Sequence, residues 1–93
     1  MVRVKRARHI RDYVVEFIFG DGSVRQIDLE RYLWGPVFQL VRDPEYFRKF
    51  RVDRESGTIV WPNGADIDPD VLYLGLKPAW MVADEPITPT SRG

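Results

Sequence analysis

The stretch Tyr13-Val14-Val15-Glu16-Phe17-Ile18-Phe19, followed without interruption by Gly20-Asp21-Gly22, constrains the fold more than any other part of the chain. β-Branched and aromatic side chains dominate it, and these fit a pleated surface better than a helix. Tyr13, Val15, Phe17 and Phe19 fall on one face at a period of two, with Val14, Glu16 and Ile18 on the other, which predicts a central strand. Two glycines around an aspartate supply the positive-φ positions of a tight hairpin, so the chain turns back at once. Ser23 to Leu29 then alternates, with Arg25, Ile27 and Leu29 on one side and Val24, Gln26 and Asp28 on the other. The alternation alone leaves open which side faces inward.

The flanking segments complete a small α+β pattern. Val2 to Arg8 mixes small apolar residues with Arg3, Lys5, Arg6 and Arg8, as a charged strand at a sheet edge would. Leu33-Trp34-Gly35-Pro36 reads as a loop, because glycine and proline interrupt any period. Val37 to Val41 is too short to classify, although Phe38 and Leu40 are expected to help fill the core. Asp43, Pro44 and Glu45 are an N-cap, a first-turn proline and a first-turn acid, so a short helix begins there with Tyr46, Phe47 and Phe50 as its apolar stripe. Phe50–Asp53 and Thr58–Trp61 form a second hairpin around Arg54-Glu55-Ser56-Gly57. Asp68-Pro69-Asp70 repeats the cap-proline-acid signal, and a turn or two of helix should run to a stop at Gly75. The expected fold is therefore α+β, a small mainly antiparallel sheet built from two hairpins, with one or two short helices. A single domain over residues 1–76 is followed by a proline-rich tail, 77–93, expected to be mobile.

Totals narrow the function classes. At 93 residues the chain supports one modest core. Fourteen basic residues balance fourteen acidic ones, so there is no global cationic field for nucleic acid or anionic lipid. The absence of cysteine excludes disulfides, thiolate metal sites and a thiol nucleophile, and fits a reducing cytoplasm. No stretch approaches the ~20 apolar residues of a membrane span, and no signal peptide is visible. No cofactor is implied.

Few residues invite chemistry. Asp66, Asp68 and Asp70 imitate the opening of a calcium loop, but Val71 stands where its glycine would be, Lys77 where its glutamate would be, and Pro69 interrupts the run. Helix capping explains these aspartates better. His9, the only histidine, has no nucleophile partner in a recognisable context. Gly20-Asp21-Gly22 lacks the longer frame and lysine of a phosphate loop. No catalytic and no metal site is therefore expected, and the chain reads as a binding protein. Trp34 beside Gly35-Pro36, and Trp80 with Met81 in the tail, stand in irregular sequence and are the candidate partner contacts, although Trp80 and Met81 are equally able to pack back on the domain. An alternative interface is a nucleic-acid contact through Arg3, Lys5, Arg6 and Arg8.

From the F-x-x-G-D-G-S hairpin (Phe17 to Ser23), through Phe47 to Val52, to Ile59-Val60-Trp61-Pro62-Asn63-Gly64-Ala65-Asp66-Ile67-Asp68-Pro69 with Leu72 and Tyr73 beyond, the chain resembles the bacterial domain of unknown function 2442 family. The W-P-N-G-A-D-I-D-P stretch is the most specific part, and the likeness covers about residues 1 to 76. It implies a small α+β domain of uncharacterised activity, often encoded beside a second small protein of the domain of unknown function 4160 family. Such pairs look like toxin and antitoxin modules, with this chain as the neutralising partner. No catalytic residues are implied. Some relatives continue into a helix-turn-helix domain, from which this chain departs: the seventeen residues after Leu76 are too few and too rich in proline.

Overall fold

The computed structural model describes residues 2–75, which form an α+β domain with five strands and two short helices among them. Strands β1 (Val4–Arg11), β2 (Val14–Phe19) and β3 (Val24–Asp28) make an antiparallel sheet in the order β1-β2-β3. Strands β4 (Arg51–Asp53) and β5 (Thr58–Val60) make a separate antiparallel pair. Both expected hairpins are present, and each belongs to its own sheet. The tail 77–93, with Trp80 and Met81, lies outside the described residues.

The central strand follows its sequence pattern. Val15, Phe17 and Phe19 are fully buried, whereas Val14, Glu16 and Ile18 alternate with them at intermediate exposure. The face that β3 turns inward is settled by register: Ile27 opposes Val15 and is half-buried, while Val24, Gln26 and Asp28 lie outside. In β1 the register against β2 slips between Val4 and Arg6, and an extra residue there leaves both Lys5 and Arg6 exposed.

Two features close the gap between the sheets. The Val4 N–H donates to the Gly57 carbonyl at 2.7 Å, and the Gly20 N–H donates to the Arg3 carbonyl at 2.8 Å, so the start of β1 is bonded to the turns of both hairpins. Gly57 has φ +72°, and a Cβ there would meet Arg3 Cζ at 3.1 Å, so glycine serves both the left-handed turn and the close approach. In the core, Trp61 packs on Phe47 with ring centroids 5.7 Å apart, and its indole N–H donates to the Phe47 carbonyl at 2.8 Å.

Helix α1 (Pro44–Phe47) starts where the sequence places it, with the Asp43 carboxylate accepting from the Tyr46 N–H. Helix α2 (Pro69–Leu74) is capped in the same way by Asp68 and ends at Gly75 with φ 70°. Two points differ from the sequence reading. Leu29–Tyr32 forms a 3-10 turn capped by Asp28. Leu40, expected in the core, is 57% exposed: Pro36–Phe38 forms a second 3-10 turn and the following turns aim Val41 inward instead, where it is fully buried. Phe38 does pack against the core.

Trp61→Phe leaves the buried Phe47 carbonyl without its donor and empties part of the indole volume. We expect urea unfolding to show a loss of about 2–4 kcal/mol, combining the unsatisfied acceptor with the cavity. Gly57→Ala should cost about 1–2 kcal/mol in the same measurement, from the left-handed backbone alone and before any Arg3 displacement.

Candidate functional site

Strand β3 is an edge strand, so alternate backbone N–H and C=O groups on it face away from β2. Beside it runs an open groove of about 600 Å³, with Ile27, Tyr32, Trp34 and Leu72 among its apolar walls and Arg25 and Arg31 among its cations. Three segments make it: β3 supplies one side, the Leu29–Tyr32 turn closes one end and α2 supplies Leu72.

Trp34 stands at the end where β3 runs into that turn. Its ring is 51% exposed but is held from below, since the Arg42 guanidinium lies over it at 4.2 Å from the ring centroid. Arg42 in turn donates to the Leu33 carbonyl at 3.0 Å, and its own carbonyl accepts the Tyr13 hydroxyl. Tyr13 is tied to this end of β3 because its carbonyl accepts the Leu29 N–H at 2.9 Å. The tryptophan is thus placed by a chain of bonds from the sheet, and the cation on its face adds about 0.5–1 kcal/mol at such exposure.

The opposite end is fixed by the first hairpin. The Asp21 carboxylate accepts from the Ser23 hydroxyl at 2.6 Å, the Ser23 N–H at 2.9 Å and the Tyr73 hydroxyl at 2.7 Å. These donors, the Ser23 hydroxyl foremost and then Tyr73, lower its pKa from 3.8 to about 2. The Tyr73 hydroxyl is pushed above its ordinary value because it donates to that carboxylate. Arg25 donates to the Tyr73 carbonyl, and the Tyr73 ring meets Phe19 edge-on at 5.0 Å. Helix α2 is therefore pinned to the hairpin at the groove's edge.

Of the other residues singled out in the sequence, the basic set is divided. Arg3 donates to the Arg54 carbonyl and, at 3.5 Å, to that of Glu55, while Arg8 pairs with Glu16 at 3.0 Å and lowers the pKa of that carboxyl. Lys5 and Arg6 are exposed on the outer side of β1. His9 bonds the Asp12 carbonyl through Nε2 at 2.9 Å and lies edge-on to Phe47. Asp68 caps α2, and among the described residues no group of three or more His, Asp or Glu is placed to hold a metal ion. Sequence reading found Trp34 but missed Arg42, Tyr32 and Leu72 as its companions. Asp28, a cap of the same kind as Asp43 and Asp68, was the available signal for the turn that carries Tyr32.

A family model described as protein of unknown function (DUF2442) matches residues 4–78. The chain belongs to this family. Searches of curated proteins and of solved structures return no match. The DUF2442 description carries no residue roles, so the groove stands on its geometry. No helix among the described residues is long and apolar enough to cross a membrane.

The lowered pKa of Asp21 fixes a pH window. A carboxylate depressed in the folded state stabilises it above the ordinary value near 3.8, and that contribution is lost as pH falls through about 2. Carboxyl-carbon NMR titration should place the Asp21 midpoint at about 2. In Tyr73→Phe the midpoint should rise without reaching the ordinary value, since Ser23 still donates. An unchanged midpoint would show that the helix tie does not act on this carboxylate.

Proposed function

We propose that this chain is a binding protein of the cytoplasm, the neutralising, antitoxin-like member of a pair, and that its small protein partner docks along β3 against Trp34. The observation that carries this reading is a half-exposed tryptophan, held by Arg42, at the end of an open groove beside an edge strand. An edge strand offers main-chain donors and acceptors to an extended segment, and adjacent pockets choose its side chains. Aromatic rings in such positions carry a disproportionate share of binding energy. The partner's identity follows from the resemblance to families whose genes lie beside a domain of unknown function 4160 protein.

The nucleic-acid alternative has less support. A phosphate would have to draw Arg3 from the Arg54 carbonyl and Arg8 from Glu16, which leaves Lys5 and Arg6 as the readily offered cations. Phosphate contacts made by so few charges give weak binding that fades quickly with salt.

Co-expression and affinity capture with the product of the adjacent gene test the proposal. A complex should form, and Trp34→Ala should weaken it roughly thirtyfold, the loss of a ~2 kcal/mol anchor. Arg6→Ala should leave it nearly unchanged. If the two proteins do not associate, or Trp34→Ala binds as tightly as the parent, the docking reading is wrong.

A further inference from the structure

The groove beside β3 begins where the described chain ends. Gly75 lines it, and Arg25 Nη2 lies 3.9 Å from the place a Cβ on Gly75 would take. The carbonyl of Tyr73 is bonded by the same guanidinium, and the Tyr73 hydroxyl by Asp21. The end of α2 is therefore anchored from both sides at the Arg25 end of β3, and residue 76 starts inside the groove. Gly75, with φ 70°, ends the helix and redirects the chain.

We propose that residues 76–93 run back along β3 and that Trp80 packs at the Trp34 end, so that the chain is the first occupant of its own groove. An external partner must then displace this segment, a consequence that rests on the docking reading above, whereas the occupancy itself does not.

Length supports the assignment. The five residues from Gly75 to Trp80 span at most about 17 Å when extended. The five residues of β3 rise over about the same distance. Trp80 thus reaches the far end of the strand without slack, and Pro78 biases Lys77 toward the extended backbone this needs.

Chemistry agrees with length. Ala79, Trp80, Met81, Val82 and Ala83 form the longest apolar run after Gly75, and the groove offers Ile27, Tyr32, Trp34 and Leu72 against it. Asp84 and Glu85 follow directly, and Arg31 stands in the wall beside Tyr32 at the end these acids would reach. A cation facing an acidic pair fixes the direction of the segment as well as its place.

The chain has no cysteine, so Ala83→Cys gives a single site for a nitroxide in the full-length protein. With the label attached, the amide signals of Asp28, Glu30 and Arg31 should lose intensity while that of Glu55, at the tip of the second hairpin, keeps it. Adding Trp80→Ala should restore the lost signals. In a mixture of isotope-labelled chain without nitroxide and unlabelled chain carrying it, the loss should be absent. Loss of equal depth in the mixture would assign the groove to a second copy and overturn the proposal. Undiminished signals in the singly substituted protein would overturn it too, and loss that survives Trp80→Ala would remove Trp80 as the anchor. No partner enters this measurement: if the adjacent gene product binds through Trp34 while the nitroxide reports nothing, docking stands and self-occupancy falls.

Discussion

The bond from the Trp61 indole N–H to the Phe47 carbonyl, buried at 2.8 Å, is the constraint on which the rest of the domain depends. It joins the end of the second hairpin to the end of α1, and Phe47 meets Tyr13, Phe50 and His9 edge-on around the same ring. A helix of four residues has too few internal bonds to stand alone. Its position is set by what its last residue touches, and that residue is held through both its ring and its carbonyl. Because Tyr13 is one of those contacts and also binds the Arg42 carbonyl, the placement of Trp34 descends from the same cluster.

A second constraint lies at the other side of the molecule. Two sheets of three and two strands offer few ways to bury their inner faces unless they are held face to face. The first residues of β1 do this with the backbone: Val4 reaches Gly57 in one turn, and the Arg3 carbonyl receives Gly20 from the other. Val4 then contributes its side chain to the core cluster, while the Arg3 side chain lies on the glycine whose missing Cβ makes room for it. The basic character of this strand start is thus partly architectural, because a long cationic side chain can cover a turn and cap its carbonyls at once.

Much of the fold was legible because the punctuation is strong. Asp43-Pro44-Glu45 and Asp68-Pro69-Asp70 fix both helix starts, Gly75 ends the second helix, and the alternation of residues 13 to 19 fixes the central strand and its buried face. Legibility failed where local signals run out. Leu40 is apolar and close to two core residues, but which of Phe38, Leu40 and Val41 turns inward depends on a 3-10 turn whose geometry only Gly35 and Pro36 hint at. Of the site, Trp34 was readable from its irregular setting. The pedestal was not: Arg42 lies eight positions away among other charges, and only the folded backbone brings its guanidinium under the ring and its carbonyl to Tyr13.

The two edges of the larger sheet are treated differently, and the contrast argues for a role at β3. At β1 the chain takes an irregular register, crowds the border with Lys5, Arg6, Arg8 and Arg11, and bonds its start to the second hairpin. These are the devices that keep an edge from pairing with strangers. Strand β3 has no register slip against β2, and its outward side chains, Val24, Gln26 and Asp28, include one exposed β-branched residue rather than a block of like charge. An edge this regular would invite indiscriminate pairing were its approach not limited. The groove limits it: Arg25 and Gly75 at one end and the Leu29–Tyr32 turn with Trp34 at the other bound a lane about as long as the strand. Short extended segments with an aromatic residue at the right distance fit such a lane, and long flat strands do not.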